Sequence, residues 1–561
     1  MNLVFSNQDW VIICLYIFIL SLIIHLPDLY SLYKNNKQWI PINFPPYVIG
    51  DDYHYFSILN FIHRRFLNLF FKYKLSFPKL TATSKFQFFG FLFNLPAYHL
   101  GFLFLDRRYG VLFVRIWNNI CLGISFFLLL SVISKLLLVE NDILYKGLAS
   151  YIAFILFYPG PLRRQSIILN LWKNDHIQKY EHANDLFRGM FSSTTAPLYL
   201  LSSSLLIYSH SIHYSDSLIT LTAILLIPVL FFVYLPISVV YGTMVMLSSL
   251  FSQNFIVFIF VIIILMSLIF FYIFAIKKDE VGKELYFHND NGKIFSINFR
   301  LVVRVIVIII PCFLLFIYFI NKQTLFMGLL VLLLGGMSFT LFFKKHQLSR
   351  FYDRGSCILL QAITVIIFFI IIEKTTLLIL GFLLFVFLVT FFSRQANYLY
   401  KNFITICRYP VYNRMNFSSL FCKIKKESKA IVTDNLIISG LVDVFGSDEP
   451  LLRNYSLQSL GYKAHLESIC KNFIILKYTP NDLIKILSSN FDLNDRIDKY
   501  PLKNSAYYIQ YIMCNKEYNN QILLDGMYCR SKGWSRNFKK FLFHKFKIAE
   551  KKKMILPVVV V

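Results

Sequence analysis

Charge is what this sequence has little of. Only 16% of its 561 residues are Asp, Glu, Lys or Arg, against about 25% in soluble globular proteins, while 57% are hydrophobic against about 45–50%. The excess includes 60 Phe and 35 Tyr, gives a mean hydropathy of +0.58, and is more than an ordinary soluble core can bury. Acids are the scarcer sign: 30 Asp+Glu stand against 57 Lys+Arg, for a formal net charge of +27. In a soluble chain that imbalance would point to nucleic acid. Beside repeated apolar runs it points instead to membrane lipids and phosphate-bearing lipid substrates, and no nucleic-acid partner is expected. Paired cysteines are missing too. The nine cysteines, at 14, 121, 312, 357, 407, 422, 470, 514 and 529, form no C-x-x-C pair and no Cys/His cluster at zinc spacing, which argues against a disulfide framework or a structural metal. The first ten residues hold no Lys or Arg, and no small-x-small cleavage site follows the apolar stretch Val11 to Pro27, so that stretch reads as a retained signal anchor. No internal repeat stands out, which counts against inverted-repeat transporters.

What is present is a series of apolar runs of membrane-spanning length. At about 20 residues per span, strong candidates cover 11–27, 111–138, 190–211, 217–234, 254–276, 301–320, 324–343, 356–373 and 375–392, with weaker ones at 87–105, 148–162 and 236–251. The expected fold is an α-helical polytopic membrane protein of about nine to twelve transmembrane helices, residues 1–392, followed by a small C-terminal soluble α+β domain, residues 393–561. Pro96, Pro159, Pro228, Pro236 and Pro311 lie in or at the ends of apolar runs and suggest kinked or broken helices. In the C-terminal part, Ala430 to Val432 followed by Thr433-Asp434-Asn435 predicts a short buried strand and turn, and Lys463 to Phe473 has helical periodicity. That part carries 27 Lys+Arg and 13 Asp+Glu, a net +14, and residues 1–392 the remaining +13. Its tail, Lys539 to Lys553, is a solvated charge run or a contact for anionic lipid.

Hydrophilic segments at 28–86, 163–189 and 277–298 interrupt the membrane part, and the first holds the most informative stretch, Pro45 to Phe56 (PPYVIGDDYHYF). Pro45-Pro46 and Gly50 force a turn. After it Tyr55, Phe56, Leu59, Ile62 and Phe66 follow the spacing of an amphipathic helix lying on the membrane surface. Asp51 and Asp52 stand at its N-terminus. One aspartate there is explained as an N-cap, worth about 0.5–2 kcal/mol; two adjacent ones leave a carboxylate over. Beside a membrane, with His54 and Tyr55 near in sequence, that carboxylate is suited to act as general base toward a hydroxyl or to hold a divalent ion bound to phosphate. The sequence itself indicates no metal site and fixes no cofactor.

The acidic pair after the first span, followed by a surface helix, resembles the GT-C fold membrane glycosyltransferases. The loop of bacterial members reads roughly Gly-Asp-Asp/Glu-x-x-Tyr-Tyr, and Gly50, Asp51, Asp52, Tyr53 and Tyr55 fill those positions. Glu181 to Arg188 leads into the span at 190, where such relatives place an Arg followed by Asn-Pro; Arg188 fits, while Gly189-Met190 replaces Asn-Pro. Residues 430–482 look like the family's soluble segment, which would align Asp434 and Glu467. The resemblance implies sugar transfer from a polyprenyl-phosphate donor to an envelope acceptor at the plasma membrane of a bacterium. Asp51 or Asp52 would be the catalytic base, His54 and Tyr55 would lie along the substrate, and Arg188 would grip the donor phosphate through its planar fork. Arg163, Arg164 and Lys173 are weaker phosphate candidates, better read as charged loop ends. Glu181 and His182 would supply a second acid or substrate contact, although such a pair in a polar loop is ordinarily just solvated.

Other ionisable groups are weaker candidates: His99, read as interfacial; Arg304, able to snorkel; and Asp106-Arg107-Arg108, read as a helix-end anchor. Sidedness is contested within the sequence. Loop 28–86 holds eight basic residues against Asp28, Asp51 and Asp52, which by the positive-inside rule would place it in the cytoplasm. The resemblance implies an extracytoplasmic loop and C-terminal domain. It is preferred because a chain basic throughout gives the rule little contrast. Two alternatives stand beside the transferase. A polysaccharide or lipid-oligosaccharide transporter would place charges along its mid-membrane helices, whereas the ionisable residues here concentrate in loops. A non-catalytic envelope assembly protein would use the acidic pair only as a cap.

Overall fold

The computed structural model describes residues 4–26, 93–103, 107–137, 142–157, 190–212, 214–278, 322–337, 355–371 and 378–386, positions 29, 32, 33, 56, 59, 60, 62, 63 and 388, and three short strands. Among the described residues the helices are α1 (Asn7–Ile24), α2 (Leu95–Leu103), α3 (Arg107–Leu136), α4 (Ile143–Phe157), α5 (Met190–Ser211), α6 (Ser217–Val233), α7 (Leu235–Phe251), α8 (Phe255–Lys278), α9 (Lys322–Gly336) and α10 (Cys357–Ile371). Three segments, Asn7–Ile24, Arg108–Leu136 and Phe255–Phe274, are long and apolar enough to cross a membrane. Ile143–Leu156, Ser217–Val233, Leu235–Phe251, Leu325–Gly336 and Cys357–Ile370 are apolar but shorter. Of the expected span at 87–105, the described residues 93–103 hold the nine-residue α2, and 301–320 lies outside the described residues.

Local chemistry fixes several helix ends. Ser6 and Asp9 form a reciprocal capping box, Asp9 N–H donating to Ser6 Oγ at 3.2 Å and Ser6 N–H to Asp9 Oδ2 at 2.9 Å. Asp216 caps α6 by accepting from the N–H groups of Leu218 and Ile219. Pro236 sits in the first turn of α7, where its missing N–H costs nothing, and Pro197 and Pro228 lie inside α5 and α6.

The chain divides into two compact units. The first comprises Met1–Leu29, Arg115–Ala275 and Tyr286–Leu399; the second comprises Tyr30–Val114, Ile276–Leu285 and Tyr400–Val561. In the first, α1 runs antiparallel to α3: Val4 N–H donates to Ser131 Oγ at 3.1 Å, Ile17 lies against Gly123, and His25 reaches Asn119. The second half of α3 pairs with α4 through stacked Phe126 and Phe154, whose centroids are 5.0 Å apart. Antiparallel α10 covers α4, with contacts from Gln361 to Phe154 and from Lys146 to Ile370. Helices α5, α6 and α7 pack on one another around Tyr241, whose hydroxyl lies 3.2 Å from the Ser202 carbonyl and 3.1 Å from that of Ala223. Over Phe255–Phe274 of α8 only the Val257, Val261 and Leu265 stripe is buried; Ile256 and Phe270 are 82% and 73% exposed, the pattern of a helix facing lipid.

In the second unit, strand β1 (Ala430–Val432) forms at the predicted position. It lies between β2 (Glu449–Pro450) and β3 (Val558–Val560), parallel to both, with Ala430 opposite Glu449 and Val558. The remainder of 393–561, including Lys463 to Phe473, lies outside the described residues, and so does the expected α+β domain.

Candidate functional site

In the second unit, the stretch after the acidic pair buries a helical stripe. Phe56, Leu59 and Ile62 are buried as the periodicity predicts, and Asn60 and His63 are buried with them. Two wholly buried polar side chains on an apolar stripe need partners. Helix α2 supplies them: Tyr98 hydroxyl donates to Asn60 Oδ1 at 3.3 Å, and Nδ1 of His63 and Nδ1 of His99 lie 2.8 Å apart. The Tyr98 ring stands edge-on to His63 at 5.1 Å. Burial holds the His99 imidazole below its usual pKa, favouring the neutral form. The start of α3 closes on α2 through glycines. A Cβ on Gly101 would occupy the space of the Gly110 backbone, and one on Gly110 would come within 2.9 Å of the Tyr98 carbonyl oxygen. Asn94 precedes α2 and Arg108 lies in the first turn of α3, both wholly buried. Arg108 was expected as a helix-end anchor. It does stand at a helix end, but its burial is that of a group held inside the protein. No acid occupies the first turn of α3, where the helix dipole already disfavours a cation.

The first unit has a second polar cluster, on the next turns of α3. Arg115, Asn118 and Asn119, at i, i+3 and i+4, share one face and are all at least 96% buried. Asn119 Nδ2 lies 3.0 Å from Nε2 of His25, the C-cap of α1, while the Tyr151 hydroxyl donates to the Asn119 carbonyl at 3.5 Å. Asn119 Oδ1 is buried without a hydrogen bond. Lys146 is buried as well, but its ammonium donates to Ile370 O at 3.3 Å in the last turn of α10, where a cation complements the dipole. Arg115 and Lys146 are exceptions to the expected concentration of ionisable residues in loops.

A third group is closed on itself. Ser248 Oγ and Ser252 Oγ each lie 3.1 Å from His210 Nδ1, Tyr214 hydroxyl donates to Ser248 Oγ at 2.6 Å, and Phe326 stacks on His210 at 3.7 Å. These contacts join the ends of α5, α7 and α9. The backbone N–H groups of Ser252, Gln253 and Asn254 already bond to carbonyls of α7, so these three amides form no oxyanion hole for a Ser–His pair, and the group acts as a structural clasp.

The sequence-derived site residues Asp51, Asp52, His54, Tyr55, Glu181, His182 and Arg188 lie outside the described residues, as do Asp434 and Glu467. Asn60, His63, Arg115, Asn118, Asn119 and His25 were not anticipated. A signal existed for His63, one helical repeat after Phe56 on the predicted stripe, and for Arg115-x-x-Asn118-Asn119, a polar face inside a predicted span. Among the described residues no three His, Cys, Asp or Glu side chains gather as a metal centre. No family model and no curated protein matches the chain.

Proposed function

We propose that this chain is an integral membrane glycosyltransferase. It takes a sugar from a polyprenyl-phosphate donor and transfers it to an envelope glycan, lipid or protein acceptor at the outer face of a bacterial plasma membrane. The reading has 87–105 as an interfacial segment, the other eleven candidates as spans, and a C-terminal soluble domain. The observation that carries it is the burial of Asn60 and His63. The segment that begins at Asp51-Asp52 does not merely lie on a surface; it inserts polar side chains against Tyr98 and His99, as a segment that presents an active loop requires. Residues 30–86 of the first loop belong to the same compact unit as residues 400–561, which supports a site assembled from the first loop and the C-terminal part.

In this mechanism an Asp51 or Asp52 carboxylate takes the acceptor hydroxyl proton while the new glycosidic bond forms and polyprenyl phosphate departs with the old bond's electron pair. Basic residues, Arg188 first among them, offset the charge on the departing phosphate. Sugar transfer in membranes carrying Asp51→Asn and Asp52→Asn tests the assignment. At least one variant is expected to lose about 10²-fold or more in rate, and full transfer by both, at normal expression, rejects it.

A transport reading has one specific observation in its favour: Arg115, Asn118 and Asn119 are buried on one face of a helix long enough to cross the membrane. It predicts that Arg115→Gln abolishes movement of a lipid-linked saccharide in proteoliposomes that show no sugar transfer.

A further inference from the structure

We propose that Lys146 binds the phosphate of an anionic phospholipid at the paired ends of α4 and α10. Its ammonium is buried, and its hydrogen bond goes to the Ile370 carbonyl at 3.3 Å, which leaves two of its three N–H donors without an acceptor among the described residues. No carboxylate among those residues pairs with it. Asp142, one turn earlier, is exposed, and the bond between the two is a backbone one, Lys146 N–H donating to the Asp142 carbonyl at 3.1 Å. Capping a carbonyl does not explain the charge. At the opposite end of the same antiparallel pair Gln361 donates to the Phe154 carbonyl, so a neutral amide serves there. Nor does the dipole of α10 balance it. The C-terminus of α10 carries roughly half a negative charge, but Lys146 is the fourth residue of α4, whose N-terminus brings roughly half a positive charge to the same end. The two oppose each other, and the ammonium keeps most of its charge uncompensated.

A buried charge without an opposite partner is expensive, and phosphate oxygens would take up both remaining donors. The surface beside Lys146 selects a lipid over a free anion. Tyr145, next to it in sequence, and Phe368, in the last turn of α10, are both exposed. A tyrosine at a helix end suits the headgroup layer, and an exposed phenylalanine one turn from Ile370 offers its ring to an acyl chain. Lysine at a helix end has the reach to meet a headgroup while its methylenes stay among apolar neighbours. This inference rests on the membrane part of the reading above, with α4 and α10 as spans. Sugar transfer and the acidic pair Asp51-Asp52 play no part in it.

The test uses full-length protein in a non-ionic detergent, stripped of co-purified lipid and titrated with phosphatidylglycerol or phosphatidylcholine, with binding read by native mass spectrometry and unfolding followed on heating. Wild type is expected to hold one phosphatidylglycerol more tightly than any phosphatidylcholine and to unfold about 2 °C or more higher with it. Lys146→Gln keeps a donor for the Ile370 carbonyl and removes the charge. It should bind that lipid about fivefold or more weakly, lose most of the shift, and unfold no lower than wild type in lipid-free detergent. Lys146→Arg should keep the lipid, and so should Lys135→Met, which removes an exposed lysine near the end of α3. Equal gains from phosphatidylglycerol in wild type and Lys146→Gln overturn the proposal, and equal losses in Lys146→Gln and Lys135→Met reduce it to the general attraction of a basic chain and overturn it too. An equal shift with inorganic phosphate alone overturns the lipid as ligand. So does a wild type that does not distinguish the two lipids, an outcome that needs no variant to fold.

Discussion

Asn119 makes one contact through its amide nitrogen, to His25 Nε2, and leaves its amide oxygen buried without a hydrogen bond. An unsatisfied buried acceptor costs about 1–3 kcal/mol, about as much as the His25 contact contributes. A residue kept only for folding would not carry that penalty, so Asn119→Leu should leave the unfolding temperature in detergent within about 5 °C of wild type. A fall equivalent to more than about 3 kcal/mol would show the amide to be structural. The clasp at the ends of α5 and α7 behaves oppositely. Tyr214 donates to Ser248 at only 2.6 Å and is buried, and burial pushes its phenol up to about 12 although the bond to Ser248 pulls the other way. A phenol whose folded pKa lies above its unfolded value of about 10 contributes stability below pH 10 that is lost as pH rises through 12. Tyr214→Phe should therefore cost about 1 kcal/mol at neutral pH. In the 295 nm titration difference between wild type and variant, one phenol should ionise above pH 11; ionisation near pH 10 would mean that the hydroxyl is solvated.

Helices in this chain meet where side chains are missing as much as where they are present. A Cβ on Gly123 would lie 2.7, 2.8 and 2.9 Å from three carbons of Ile17, closer than carbon atoms approach, so α1 rests directly on the backbone of α3. Gly123→Ala should destabilise by about 1–3 kcal/mol through overpacking, and Ile17→Ala should cost less in that background than in the wild type. Additive effects in this double-mutant cycle would mean that the two helices do not touch there. The same elements mark what the sequence could disclose. Helix α5 occupies the predicted 190–211 and α6 nearly the predicted 217–234, because uninterrupted apolar runs and the Asp216 cap define them locally. Phe56, Leu59 and Ile62 were likewise legible as one stripe. The partner of that stripe was not. His63 and His99 are 36 residues apart, and only folding brings them together. Arg115, Asn118 and Asn119 escaped notice for a different reason: averaging over a span dilutes three polar residues among apolar neighbours, although their shared face is visible once spacing is read instead of hydropathy.

Across the whole molecule the open question is which side of the membrane the first loop occupies, and two physical arguments oppose each other. Loop 28–86 has a net charge of +5, which favours retention in the cytoplasm. Against this, the positive charge is spread through the chain, +13 over residues 1–392 and +14 beyond, so the rule compares one basic segment with another. A site that handles a lipid phosphate also needs cations wherever it lies. Residues 30–86 and 400–561 fall in one compact unit. Cysteines placed at Ser57 and Ser166, in a chain whose nine native cysteines are replaced, should react with a membrane-impermeant maleimide from the same, extracytoplasmic side of intact cells. Reaction of Ser57→Cys only after permeabilisation would put the acidic pair in the cytoplasm and remove the extracytoplasmic donor from the proposal. Opposite sidedness of the two positions would break up the composite site while leaving the described helices, and the His63–His99 pair, as they are.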